Sequence, residues 1–302
     1  MPAYTASMRV NYSPPQLDRL LKMAGMSSTV VIEFPKETWP MYRAPIFFGI
    51  YSKKDGWEPE PGQKFRIDAA HFGLIPYWKE NRAAAFATKN THNARSETVA
   101  TLASYRRPWH RCQFALIPMD NFTEPYFGPD RESKRSVRWE IFRKDREPFT
   151  VAAIWEQWID PETREAVLSF STLTINSTNH PIMGQFHRHN EEARSQVIIP
   201  PELRDEWVRL KNPEDARRFL IEMPVDEFDS GLAPKGGRTL LPRQISSTLD
   251  EPSESDEYVK PAEPDLFGDT APPSAKPPKK DRTATKDKPT EPPKPTSGDL
   301  FG

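Results

Sequence analysis

The sequence contains a single cysteine, Cys112, and no apolar run that approaches the roughly 20 residues required by a membrane-spanning helix. One cysteine excludes an internal disulfide framework and is typical of a reducing cytosol. Cys112 lies in an apolar run, so we expect a buried and inert thiol rather than a nucleophile. Because no signal peptide opens the chain, the sequence predicts a cytoplasmic protein without membrane contact.

An excess of charge of either sign is also missing, because 42 Lys and Arg residues are balanced by 43 Asp and Glu residues. The net charge of −1 therefore does not by itself indicate a nucleic-acid-binding protein. Basic residues nevertheless crowd the middle of the chain: Arg106, Arg107, Arg111, Arg131, Lys134, Arg135 and Arg138. This cluster is either a solvated charged face, which charge alone favours, or a surface that binds nucleic acid.

Proline, in contrast, is abundant, and many of the 33 prolines lie near the C-terminal end. From about Asp226 the sequence loses its periodic apolar runs and becomes rich in Pro, Lys, Glu, Asp, Ser and Thr. Such a segment cannot bury enough apolar surface to offset its conformational entropy. We therefore predict one folded domain over residues 1–225 and a disordered tail over residues 226–302.

Short apolar or alternating runs dominate the predicted domain, and their length and β-branched content are typical of strands. The predicted strands cover residues 29–34, 46–51, 114–118, 138–142, 149–155 and 169–175. The predicted helices are fewer and cover residues 14–24, 201–207 and 213–220, each beginning at a proline. The pattern indicates an α+β domain with a curved, mainly antiparallel sheet and peripheral helices.

Four segments place polar or aromatic side chains next to these apolar runs. They are N-A-R-S-E-T at 93–98, the run from Arg111 to Glu124, F-G-L-I-P-Y-W at 72–78, and Phe186-His187. The first lies at a junction that leads into a turn or helix, where polar side chains can face a cleft. The alternative interpretation is structural: Asn93 caps a helix and Glu97 pairs with an arginine.

Together and in this order, the four segments resemble the SRAP family (SOS response-associated peptidases, the proteins that crosslink to abasic sites in DNA). The resemblance covers about residues 1–224 and implies the family's β-barrel-like domain. The family's reactive residue is a cysteine at position 2, which becomes the N-terminus when the initiator methionine is removed. Here position 2 is Pro2, and Tyr4 matches an aromatic position that often follows the family's cysteine.

The resemblance also implies roles for individual residues. Asn93, Glu124 and His187 correspond to the residues that surround the reactive N-terminus, and Arg95 corresponds to an arginine that holds a DNA phosphate. His189 is an alternative to His187, because the histidine motif is the loosest of the four matches. Beyond these, Trp78, Arg106 and Arg107 are candidate DNA-binding residues.

Pro2 lacks a thiol, so it cannot close the stable thiazolidine ring that the family's cysteine forms on the abasic-site aldehyde. Its secondary amine can instead add to the aldehyde and give an iminium. In that hypothesis Glu124 shuttles protons, His187 assists, Asn93 orients the reacting groups and Arg95 grips a phosphate. The alternatives are a silent module that only binds single-stranded DNA, and the peptidase activity implied by the family name.

The remaining expectations concern partners. Of the aromatics Phe72, Tyr77, Trp78, Tyr126 and Trp155, we expect most in the core and at most one stacked on a base. The expected partner is single-stranded DNA that carries abasic sites, so we expect the protein at the nucleoid. We also expect a monomer that needs neither a metal nor a cofactor.

The predicted tail carries the tetrapeptide Asp-Leu-Phe-Gly twice, with its apolar pairs at Leu266-Phe267 and Leu300-Phe301. These segments resemble the bacterial sliding-clamp-binding motif, although the glutamine usual upstream of it is absent from both. A chance repeat in low-complexity sequence is the alternative interpretation.

Overall fold

Twelve β-strands and four α-helices make up the residues that the computed structural model describes, which are 11–27, 32–49, 59–88, 90–133 and 135–234. The strands are β1 (Asn11–Ser13), β2 (Arg43–Gly49), β3 (Phe65–Phe72), β4 (Asn93–Arg95), β5 (Phe114–Met119), β6 (Asn121–Tyr126), β7 (Val137–Arg143), β8 (Phe149–Ile159), β9 (Ala166–Asn176), β10 (Arg194–Gln196), β11 (Ile198–Ile199) and β12 (Phe228–Leu232). The helices are α1 (Leu17–Ala24), α2 (Arg82–Phe86), α3 (Ala103–His110) and α4 (Arg204–Arg209). Pro2 and both Asp-Leu-Phe-Gly segments lie outside the described residues.

Five strands close into a barrel in the order β9-β3-β2-β5-β8, and β8 pairs back onto β9. The pairings are antiparallel except that of β3 with β9. Short strands extend this barrel at its rim: β4 and β10 both pair with the end of β9, and β11 pairs with β8. Closure leaves few unpaired strand edges, which are otherwise a liability in a sheet.

A separate four-stranded antiparallel sheet has the order β1-β6-β7-β12. Because side chains alternate along a strand, each barrel strand contributes to two apolar clusters. On one side Phe47 packs with Leu20 of α1, Trp109 of α3 and Trp207 of α4. On the other, Phe48 belongs to the cluster that includes side chains of the four-stranded sheet, such as Phe122.

The α+β class and the mainly antiparallel barrel confirm the fold predicted from the sequence. Five of the six predicted strands correspond to β2, β5, β7, β8 and β9. The prediction of a strand over residues 29–34 was wrong for its described part, because residues 32–34 have no regular secondary structure. Ile32 and Phe34 pack against the core from this irregular segment, which ends at Pro35. β12 lies on the C-terminal side of residue 225 and completes the edge of the second sheet.

The helices are short: α1 and α3, the longest in the described part of the chain, have eight residues each. No helix there is long and apolar enough to cross a membrane. Cys112 follows α3 with a positive φ of 52°, and it is partly buried against the core where the sequence predicted a buried thiol. Partial burial still raises the pKa of its thiol, which disfavours the reactive thiolate.

Candidate functional site

The core of the site is the carboxyl group of Glu124 on β6. Glu124 shares one face of this strand with Phe122 and Tyr126, and Trp139 of β7 is its direct cross-strand neighbour. The side chain is 1% exposed. Burial among these aromatic groups raises the pKa of Glu124 to about 8, because the charged form loses its hydration. At neutral pH the carboxyl group is therefore mainly protonated.

His187 lies beside this carboxyl group, with 3.6 Å between its Nε2 and Oε2 of Glu124. Burial lowers the pKa of His187, so both shifts favour an uncharged acid next to an uncharged imidazole rather than an ion pair. Within the described residues neither atom has a hydrogen-bond partner. Two buried polar atoms without partners point to a ligand or a water that they are arranged to meet.

The backbone of His187 has a φ of 68°, in the left-handed region that few non-glycine residues adopt. The neighbouring loop holds this conformation, since Arg131 donates to the carbonyl of Gly184 at 2.7 Å and Arg188 lies 4.4 Å from the centre of the Phe127 ring. His189, the sequence alternative, is exposed and bonds to Arg131 instead. Of the two histidines, only His187 therefore lies beside Glu124.

The N-terminal end of β1 lies close to Glu124. β1 runs antiparallel to β6, and Asn11, the first described residue, is paired with Thr123. Asn11 also accepts a short hydrogen bond from the hydroxyl of Thr123 and donates to Glu37, which pairs with Arg138. These contacts hold the start of β1 opposite Thr123, the residue that precedes Glu124 on β6.

Asn93 occupies β4, where Oδ1 accepts a 2.6 Å bond from the hydroxyl of Thr172 and a 3.4 Å bond from Nε2 of Gln196. It is a strand residue, so the alternative that it caps a helix was wrong. The second half of that alternative is correct, because Glu97 accepts a 2.8 Å bond from Arg194. Asn93 and the Glu124–His187 pair have no direct bond to each other among the described contacts.

Arg95 projects from the same strand and is 58% exposed. Its guanidinium lies 3.0 Å from Glu192, which also accepts bonds from the buried Arg194 and from Asn176. Glu192 thus forms ion pairs with both the exposed Arg95 and the buried Arg194. A carboxylate in this position occupies one side of Arg95 that a phosphate oxygen can take.

The other predicted DNA-binding residues form a second surface. Trp78 is 43% and Tyr77 50% exposed, so these two of the five aromatics lie outside the core, where most of the five were expected. Arg107 lies 3.9 Å over the Tyr77 ring and bonds to the buried Glu156, while Arg106 is exposed on α3. This places an aromatic pair next to a cation.

The central basic cluster does not form one free patch. Arg131 and Arg138 bond to protein groups, and Arg107 is held by Glu156. Lys134 lies outside the described residues. The exposed residues of this cluster are Arg106, Arg111 and Arg135.

Comparison with known proteins identifies the family of this chain. The model of the SOS response-associated peptidase (SRAP) family matches residues 13–231. The chain therefore belongs to the SRAP family, and its function is related to DNA damage. No curated protein matches the chain significantly.

Solved structures show the same fold. A protein of Bordetella bronchiseptica is 27% identical with a TM-score of 0.63, over 75% of this chain and 99% of that chain. A protein of Bacteroides thetaiotaomicron is 21% identical with a TM-score of 0.58, over 75% and 92% of the two chains. At 21% identity the second resemblance concerns the fold alone.

Three residues that contact the predicted ones have no role predicted from the sequence: Thr172, Glu192 and Gln196. Thr172 lies inside an apolar strand, Glu192 is the glutamate of the longer histidine motif F-H-x-x-x-x-E-x-R at 186–194, and Gln196 follows that motif. Their importance arises from the pairing of β4 and β10 with the end of β9. No local signal in the sequence indicates that pairing.

We predict that Arg95→Ala and Glu192→Gln have opposite effects on binding to single-stranded DNA. Loss of Arg95 should weaken binding and reduce the slope of log K on log salt by about 0.7, the value for one phosphate contact on a single strand. Glu192→Gln removes the charge that competes for Arg95 and should strengthen binding. Titrations at several salt concentrations measure both effects.

Arg209→Ala is the matched control, because Arg209 is also an exposed arginine paired with a carboxylate, that of Asp205 on α4. Its affinity and salt slope should equal those of the wild type. An unchanged slope for Arg95→Ala would show that Arg95 makes no phosphate contact.

Proposed function

We propose that this protein captures ring-opened abasic sites in single-stranded DNA through the N-terminal amine of Pro2. The observation that carries the proposal is the buried, uncharged Glu124–His187 pair next to the start of β1. An uncharged carboxyl group at neutral pH is a proton donor, which the capture of an aldehyde by an amine requires. Membership of a DNA-damage-related family supports the same conclusion.

The distance from the described chain to Pro2 is compatible with this role. About nine residues connect Pro2 to Asn11, and a chain of that length spans at most about 30 Å. Asn11 is paired with the residue before Glu124, so the carboxyl group falls well within that reach. The fixed start of β1 limits where the amine can go.

Both steps of the reaction need proton transfer at Glu124. After removal of Met1, the lone pair of the Pro2 nitrogen attacks the C1′ carbonyl carbon as Glu124 donates its proton to the carbonyl oxygen. The resulting carboxylate then accepts the proton of the ammonium nitrogen, and the product is a neutral carbinolamine. The carboxyl group of Glu124 then donates its proton to the departing hydroxyl, which leaves as water, and a C=N iminium forms. A free α-amino group with a pKa near 7.7 to 8.0 is partly unprotonated at neutral pH, so no strong activation is needed.

The other residues have supporting roles in this scheme. His187 is uncharged beside Glu124, and the two groups share the one mobile proton that Glu124 donates and accepts. Asn93 contributes its amide to orient the ring-opened sugar, and Arg95 holds a flanking phosphate. Nothing in this arrangement reads the sequence of the DNA.

The test is to incubate the protein with single-stranded DNA that carries an abasic site, in the presence of borohydride. We expect a covalent band, because borohydride delivers hydride to the iminium carbon and leaves a stable tertiary amine. Without reductant the band should be weak or short-lived. Intact-mass measurement of the protein should show that Met1 is absent, since a retained Met1 blocks the amine of Pro2.

A crosslink that is stable to heat without reductant would contradict the proposal and indicate Cys112 or a lysine as the nucleophile. Peptide mapping of the reduced adduct locates the modified residue. An adduct on any residue other than Pro2 assigns the chemistry elsewhere.

A second function is a binding module that makes no adduct. The observation in its favour is the exposed Tyr77–Trp78 pair with Arg107 over the Tyr77 ring, which can stack on bases without any help from the N-terminus. In the same experiment this function gives a shifted complex on native gels and no band after borohydride treatment.

A further inference from the structure

Gln196, the last residue of β10, is 1% exposed and points its amide at Asn93. Neither amide uses all its atoms. Oδ1 of Asn93 accepts from both Thr172 and Gln196, whereas Nδ2 of Asn93 and Oε1 of Gln196 are buried without a partner in the described part of the chain. One donor and one acceptor therefore remain free on two adjoining amides.

This result does not depend on how the two amides are oriented. If both were turned end for end, Asn93 would donate to Thr172 and Gln196, and the free atoms would be Oδ1 of Asn93 and Nε2 of Gln196. One donor and one acceptor remain in either orientation. A buried donor next to a buried acceptor is complementary to a group that both accepts and donates, and a hydroxyl is such a group.

The amide pair is connected to the Glu124–His187 pair through the protein. β10 packs against the single helical turn Met183–Gln185, and His187 follows that turn by two residues. The ring of His92, next to Asn93, packs against Phe72, which also contacts Tyr12 of β1. These contacts connect β10 to the turn before His187, and β4 to β1, the strand that pairs with β6 and its Glu124.

We infer that Gln196 is a further substrate-binding residue, which together with Asn93 holds the free hydroxyl of the ring-opened abasic sugar. The inference rests on the proposed function, because ring opening of the abasic sugar frees a C4′ hydroxyl that the closed ring does not have. A hydroxyl bound between the two amides completes both unused hydrogen bonds. The closed ring offers no donor there, so the amide pair selects the open form.

The test compares noncovalent binding of two single-stranded oligonucleotides, so that it does not depend on reaction at Pro2. One carries an abasic site that borohydride has already reduced, which is ring-opened and has hydroxyls but no aldehyde. The other carries a tetrahydrofuran analogue, which is closed and lacks the hydroxyl. The wild type should bind the reduced site about tenfold more tightly, as expected for two neutral hydrogen bonds.

In Gln196→Met, which keeps the length of the side chain and removes its polar atoms, this preference should fall to about one while the affinity for the tetrahydrofuran oligonucleotide is unchanged. Thr172→Val frees the amide of Asn93 to rotate and should reduce the preference partly, which tests the same site without altering Gln196. Gln157→Met, at an exposed glutamine of β8, is the matched control and should behave as the wild type.

A wild type without preference, or a preference that survives in both Gln196→Met and Thr172→Val, would overturn the inference. A wild type that binds neither oligonucleotide would instead remove the proposed function itself. The two failures are therefore distinguishable by the binding of the tetrahydrofuran oligonucleotide.

Discussion

Replacement of Glu124 by glutamine should slow formation of the borohydride-trapped adduct by about 100-fold or more, the usual contribution of a general acid or base. Glutamine has the shape of the protonated carboxyl group, so it fits the pocket of Phe122, Tyr126 and Trp139 without a cavity. It has no transferable proton. Affinity for single-stranded DNA should therefore remain near that of the wild type, because phosphate contacts are made elsewhere.

The measurement is a single-turnover time course of adduct formation, with binding measured separately on the tetrahydrofuran oligonucleotide. Glu162→Gln, at an exposed glutamate in the turn between β8 and β9, is the matched control and should react at the wild-type rate. A Glu124→Gln variant that reacts at the wild-type rate would show that the proton is supplied by another group.

The pH dependence of stability gives an independent check on the protonation of Glu124. Its pKa is raised from 4.5 to about 8 in the folded protein, so the protonated form is favoured by folding. Its contribution to stability is fully present below pH 4.5 and is lost as the pH rises through 8. The melting temperature of the wild type should therefore fall between pH 5 and pH 8 relative to that of Glu124→Gln, which has no proton to lose.

The contribution of His187 to stability depends on pH with the opposite sign. Burial lowers its pKa, so its contribution to stability is present above pH 6.5 and is lost as the pH falls through the lowered pKa. Together, the two groups favour a folded state whose site is uncharged near neutral pH. The same window suits an N-terminal amine that must be partly unprotonated to react.

The barrel was predictable from the sequence because its strands are long, apolar and β-branched, as in β8 and β9. β6 was not, since Asn121, Glu124 and Pro125 are poor strand formers. Pairing with β1 and β7 on both sides forces these residues into a sheet. The carboxyl group of Glu124 is buried for this reason, and its pKa shift cannot be read from composition.

In the site, too, some features could be predicted from local sequence and others depend on strand pairing. Four ordered motifs brought Asn93, Arg95, Glu124 and His187 into one hypothesis, and the structure places His187 against Glu124. The partners that bond to Asn93 and Arg95 come from β9, β10 and the segment before β10, far along the chain. Such contacts depend on register at the rim of the barrel, which no local pattern specifies.

We propose that the two Asp-Leu-Phe-Gly segments bind a bacterial sliding clamp, and their removal should have a large effect on capture by the clamp. Deletion of residues 235–302 should abolish capture of the protein by an immobilised clamp. It should leave the melting temperature and the DNA chemistry unchanged, because β12, the last described strand, ends at Leu232 and remains in place. Docking through the tail would raise the effective concentration of the domain at replication forks.

Leu300→Ala combined with Phe301→Ala should reproduce most of this loss, because two apolar anchors usually carry the affinity of a short peptide. The copy at Leu266 and Phe267 should supply the remaining binding, and substitution of all four residues should remove it. Asp265→Ala combined with Asp299→Ala is a control that leaves the apolar anchors in place, so capture should largely persist. If full-length protein is not captured, or capture ignores all four apolar substitutions, the repeat is a coincidence of composition and the domain reaches damaged DNA by its own affinity alone.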